Sequence, residues 1–126
     1  MARLDTATIA VLAPFVDEED LRAMRVVRSL PWRWIPVMLR MGAFTFDRWV
    51  VFRKGQYRPD HIQGLGLIAH EAFHISQRRR MGIGWFLARY ALGQFQCGFN
   101  HDRHPLEKPA IELQQQVVTA LTAHSL

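Results

Sequence analysis

Three residues of one short segment could do chemistry together: His70, Glu71 and His74, in the order His-Glu-Ala-Phe-His. On a helix, positions i and i+4 lie one above the other on the same face. His70 and His74 can therefore aim a nitrogen each at a single metal ion. Glu71 is turned about 100° from His70 around the helix axis, so its carboxylate reaches beside such an ion and not onto it. Zinc lowers the pKa of a bound water to about 7, and a neighbouring carboxylate can then take the proton at neutral pH. The pattern reads as an HExxH zinc site with His70 and His74 as ligands and Glu71 as general base. The competing reading is a pair of ordinary core or surface histidines. The apolar neighbours Leu67, Ile68, Ala69, Phe73 and Ile75 favour a buried helix and hence the metal.

The segment needs a helix to carry it, and the surrounding residues supply one. Asp60 is a good N-cap, and a helix is expected over residues 61–80, stopped by Gly82 with Arg78, Arg79 and Arg80 in its last turn, where cations are favoured. Gly64 and Gly66 weaken its first turns, and a close backbone approach by another element would explain them. A second helix is expected over 83–95, a loop over 97–105, and a last helix over 106–123 with Pro105 near its first turn. Upstream, residues 43–53 are rich in Phe, Thr, Trp and Val and read as strand, folded into a hairpin at Asp47-Arg48. Residues 34–41 read as a short helix capped by Gly42. The acids Asp17 to Asp20 suit a helix start, so a helix over 18–26 is expected, with 24–30 as an alternative strand. Residues 6–13 are a short apolar stretch. The fold class is therefore α+β: a small N-terminal β-sheet or hairpin packed on a C-terminal helical part that carries the HExxH helix, in one domain spanning residues 1–126.

Composition bounds the function. Half of the 126 residues are hydrophobic and a fifth are charged, as in an ordinary globular chain. The single cysteine, Cys97, permits no internal disulfide; as a zinc ligand it is less apt than as a small buried hydrophobe. No stretch approaches the roughly 18 apolar residues of a membrane span, and the N-terminus lacks the apolar core of a signal peptide. The expected location is cytoplasmic, with secretion by another route left open. The net charge is +5. Nine basic residues against one acid, Asp47, lie between Arg22 and Arg58. Such a stretch could touch nucleic acid or an anionic surface weakly and without specificity, or be a solvated face. Trp32 and Trp34 beside Arg33 could likewise touch lipid or a partner.

Residues 67–77, Leu-Ile-Ala-His-Glu-Ala-Phe-His-Ile-Ser-Gln, resemble the active-site helix of small bacterial gluzincin-like HExxH metallopeptidase domains. The likeness extends over about residues 40–115, through Gln77, Gly82, the aromatic run Trp85 to Tyr90, and His104-Pro105-Leu106-Glu107. It implies a glutamate of the later helix as third zinc ligand. That glutamate is Glu107, which has the small Ala110 three positions on, where Glu112 has Gln115. Glu112, His104 and His101 are the alternatives. Where the family often has a second glutamate two residues later, this chain has Pro109. Gln77, two turns below His70, could orient a ligand from behind, and His104, His101 and Tyr90 could stabilise an oxyanion.

Two functions follow. One is a zinc-dependent hydrolase, a metallopeptidase in which Glu71 activates a zinc-bound water against a peptide or protein substrate. The other is a zinc-bearing module that binds a protein partner with little or no catalysis. The short chain suits the second; the intact Glu71 suits the first, because a structural site needs no base. For the arginine-rich stretch, the expected outcome in a filter-binding titration is weak, salt-sensitive association with nucleic acid and no sequence preference. Tight binding that persists at about 200 mM salt would contradict it.

Overall fold

A computed structural model of the chain describes residues 2–27, 43–53, 55–96, 98 and 104–124. The expected short helix over 34–41, Trp32, Trp34, Cys97, His101 and several of the arginines in the basic stretch lie outside the described residues.

Asp5 caps the first helix, α1 (Thr6–Leu12), accepting the Thr8 amide at 2.7 Å. This corrects the reading of residues 6–13 as an unassigned apolar stretch; the cap is the signal that distinguishes it. The acids Glu18, Glu19 and Asp20 open α2 (Glu18–Ala23). That helix ends before residue 26, because Arg25–Val27 form β1 instead. Strands β2 (Ala43–Phe46) and β3 (Trp49–Phe52) make the expected hairpin. Asp47 takes the left-handed conformation of its two-residue turn, with φ of 55°, one that aspartate tolerates better than most side chains. The sheet runs β1-β3-β2, with β1 parallel to β3 and β2 antiparallel to it.

Three helices follow: α3 (Ile62–Met81), α4 (Ile83–Gln96) and α5 (Glu107–His124). The fold is α+β, as expected. The start of α3 differs in detail, because its N-cap is His61 and not Asp60, and no side chain caps it.

Helix α3 is buried along most of its length. Ile68, Ala72 and Ile75 share one face and join Val50, Phe52 and Leu21 in the core. His70, His74 and Gln77 occupy the opposite face. The helix is thus wedged between the sheet with α1 and α2 on one side and α5 on the other, with polar groups buried on the α5 side.

Two glycines allow this. A Cβ at Gly66 would come 2.8 Å from Val118 and 3.3 Å from the Gln114 carbonyl oxygen, both on α5. A Cβ at Gly64 would lie 1.9 Å from the Arg58 carbonyl oxygen. Close backbone approach is therefore the reason for both.

An ion-pair network ties α2 to the end of α3. Arg79 reaches buried Asp20 at 2.8 Å, and Ser76 donates its hydroxyl to the same carboxylate. Burial opposes ionisation of Asp20, but the hydrogen bonds from Arg79 and Ser76 outweigh it and hold its carboxyl below the usual range. Other arginines are also engaged locally. Arg22 pairs with Glu18 at 3.3 Å, Arg25 donates to the carbonyls of Arg22, Ala23 and Met24, and Arg78 lies 2.8 Å from Asp47.

Replacing a mid-helix glycine by alanine ordinarily stabilises a helix by about 1 kcal/mol. Gly64→Ala should do the opposite, costing about 1–3 kcal/mol in urea unfolding, because the methyl group meets main chain that cannot swing aside. A variant as stable as the parent would contradict the packing at Arg58.

Candidate metal centre

Helix α3 presents His70 and His74 to the first turn of α5, where Glu107 sits. The Glu107 carboxylate oxygen Oε1 lies 3.0 Å from His70 Nε2 and 2.5 Å from His74 Nε2. The three residues are buried, and one ligand atom from each lies within 4.8 Å of the others. A tetrahedral zinc site with bonds near 2.0–2.1 Å separates its donors by about 3.3 Å. The two distances to Glu107 fall about 0.3 and 0.8 Å short of that separation, so the three donors already converge on one point and would draw slightly apart around an ion. The donor set, two imidazoles and a carboxylate, is one that zinc takes.

The far side of each imidazole is also held. His70 Nδ1 donates to Gln114 Oε1 at 2.9 Å, and His74 Nδ1 donates to Gln77 Oε1 at 2.8 Å. The Gln77 amide is oriented in turn by donating to the Leu106 carbonyl at 2.9 Å. Each Nδ1 carries a proton for these bonds, so Nε2 is the nitrogen of each ring that faces Glu107 and the one free to bind a metal when the imidazole is neutral. This is the tautomer a metal requires.

Electrostatics point the same way. Glu71 and Glu107 are both buried, and among the described residues no lysine or arginine lines the pocket they share. Two buried carboxylates beside neutral imidazoles leave an excess of negative charge that is costly away from water. In the metal-free protein a proton answers part of it. Burial pushes the His74 imidazolium down, but the Glu107 hydrogen bond and the charges of Glu107 and Glu71 outweigh it and raise His74 to about 9. The centre thus favours positive charge at the point where the three donors meet.

Glu71 is not among the clustered donors. Its carboxylate accepts a hydrogen bond from the Thr45 hydroxyl of β2 and faces a small pocket of about 40 Å³. Thr45, Glu71, His74 and Glu107 line one side, and Phe86, Leu87 and Tyr90 of α4 line the other. A pocket of that size admits a water or two beside the cluster.

Tyr90 donates its hydroxyl to Glu107 Oε2 at 2.7 Å. His104 lies close by but turns both ring nitrogens to main chain. Nε2 donates to the Tyr90 carbonyl at 2.7 Å, and Nδ1 accepts from the Leu106 amide at 3.0 Å. Its ring stacks on Tyr90 with centroids 4.1 Å apart. Gly93 makes room for it, since a Cβ there would come 2.6 Å from the His104 ring. His104 therefore anchors α4 against the start of α5. Of the remaining alternatives, Glu112 is exposed on α5, and His101 lies outside the described residues.

Sequence reasoning passed over Gln114 and Thr45. Gln114 had a signal: it follows Glu107 by seven residues, two helical turns, and so shares its face. Thr45 had none that linked it to Glu71, because their meeting depends on how β2 packs against α3.

Residues 3–82 match the family described as eCIS core domain, eCIS being an extracellular contractile injection system. The match includes His70, Glu71 and His74 and ends before α4 and Glu107. No curated protein and no solved structure matches the chain.

If the cluster is a metal site, His74→Ala and Glu107→Ala should lose most bound zinc by metal analysis, while Glu112→Ala retains it. Gln114→Ala should weaken zinc about 10–100-fold without unfolding, the usual effect of removing a group that orients a ligand. Equal zinc in the parent and His74→Ala, or normal binding by Glu107→Ala, would rule the site out.

Proposed function

The chain belongs to the eCIS core domain family, and on that premise we propose that its His70–His74–Glu107 cluster holds zinc and that the domain is a zinc-dependent hydrolase of the metallopeptidase class. One observation carries the proposal. Glu71 is buried, held by Thr45, and turned to the same pocket as His74 and Glu107 without belonging to the donor cluster. A site built only for structure needs three or four donors and no such neighbour.

Zinc bound there would supply an acidified water and a positive charge for the carbonyl under attack. The protein's own groups would do the rest. Glu71 would accept the proton of the attacking water and return it to the leaving amine. Thr45 would hold the Glu71 carboxylate in one orientation. Gln77 and Gln114 would hold the imidazoles, and Tyr90, whose hydroxyl donates to Glu107 Oε2, would hold the carboxylate ligand in place. Phe86 and Leu87 would limit the entry of bulk water.

The small volume of the pocket favours a second reading, a metal-bearing module that docks on a protein partner. Family membership supports association with an extracellular contractile injection system under either reading. Contact of nucleic acid or an anionic surface with the stretch from Arg22 to Arg58 is a separate proposal, and the local pairing of Arg22 and Arg25 leaves fewer of its charges available.

Glu71→Gln separates the two readings. Zinc content and thermal unfolding should match the parent, while hydrolysis of a mixed peptide pool, followed by mass spectrometry, falls by at least about a hundredfold, the scale of a lost general base. A parent that cleaves no peptide, with a Glu71→Gln variant that associates with its partners unchanged, would decide for the binding module.

A further inference from the structure

Helix α4 is apolar on more sides than its packing uses. Its inner face places Phe86 and Gly93 against the rest of the protein. Outward, Trp85 is 61% exposed, Leu92 54% and Phe95 74%, with Leu87 and Ile83 also exposed beside them. Among the described residues, Val11 is the only other large apolar side chain so exposed. Trp85, Ala88, Leu92 and Phe95 follow one another at three- and four-residue spacing, which makes a single stripe along the helix. A helix that is apolar nearly all round is ordinarily covered on its outer side as well.

Charge narrows what covers it. From Arg78 to Gln96 the chain carries four arginines and no acid. Arg89 is exposed on α4 itself, and Arg80, although 3.5 Å from Asp17, is largely exposed at the end of α3. A second copy of the helix would set like charge against like, with no carboxylate on either to answer Arg89. A surface that is apolar beneath and anionic at its rim answers both features at once. At 14 residues the helix is about 21 Å long, too short to span a bilayer, and no helix of the described residues is long and apolar enough to do so. It would lie on the surface.

We propose that the outer face of α4 is a docking surface for an anionic lipid bilayer. Trp85 and Leu92 enter the boundary between headgroups and acyl chains, and Arg89 and Arg80 meet the phosphates. The face lies outside the residues that match the family. It is independent of whether the metal centre turns over substrate.

The test is co-sedimentation of the full chain with vesicles of phosphatidylcholine alone and of phosphatidylcholine mixed with phosphatidylglycerol. Binding to the mixed vesicles should exceed that to the neutral ones by at least about tenfold and weaken with salt. Trp85→Ser combined with Leu92→Ser should lower it by at least about tenfold. Both side chains are more than half exposed, so the variant should keep the parent's circular dichroism and zinc content. Arg89→Gln should remove much of the preference for the anionic lipid while leaving the apolar contribution. Failure to bind either vesicle overturns the proposal, as does undiminished binding by the double variant. Concentration-dependent dimerisation lost in the double variant, without vesicle binding, also overturns it, in favour of a protein partner on the same face.

Discussion

The structure turns on two carboxylates, Glu71 and Glu107, held out of water beside two imidazoles, with no lysine or arginine among the described residues of the pocket they share. Buried charge of one sign must be neutralised or it costs more than packing returns. Here the response is local and directional. The Nδ1 protons of His70 and His74 are committed to glutamine amides, so the nitrogens facing Glu107 are the ones that can take a cation. The high affinity of His74 for a proton is the metal-free expression of the same field.

Placing that much polar chemistry inside a small protein requires a helix that serves two interfaces. One face of α3 closes the hydrophobic core with Ile68, Ala72 and Ile75; the opposite face carries His70 and His74 of the candidate metal cluster. The helix can do both because α5 comes close enough along Gly66 to cover the polar face with Glu107 and Gln114. The same closeness fixes the distance between donors. Gln77 shows the economy of the arrangement, since a single amide orients His74 through its oxygen and donates its nitrogen to the Leu106 carbonyl just before α5.

The family match and the site divide the chain differently. The matched residues hold the two histidines and Glu71, but the third donor and the pocket's apolar wall come from α4 and α5, beyond the match. The expected likeness over residues 40–115 is met in part: the His70, His74 and Glu107 spacing is present, and the matched family is the eCIS core domain, whose span begins near the N-terminus. The matched span takes in the HExxH helix, whereas the residues that complete and enclose the cluster belong to the C-terminal helices.

The local elements were legible because local physics decides them. Spacing alone placed His70 and His74 on one helical face, glycine stopped α3, and β-branched and aromatic residues around Asp47-Arg48 marked the hairpin. Where local signals competed, the outcome depended on the rest of the fold. Arg25–Val27 could extend α2 or form a strand, and pairing with β3 selected the strand. Asp60 is the better cap by residue type, yet α3 begins after His61, two residues before Gly64 backs onto the Arg58 carbonyl. The partners across the site were the least legible. Glu107 could be singled out from the glutamates by resemblance, but its distance from the histidines, the turn of His104 toward main chain, and the meeting of Thr45 with Glu71 all join residues far apart in the chain. Helix and strand periodicity fix which way a side chain points along its own element; only the packing of α5 and β2 on α3 determines what it points at.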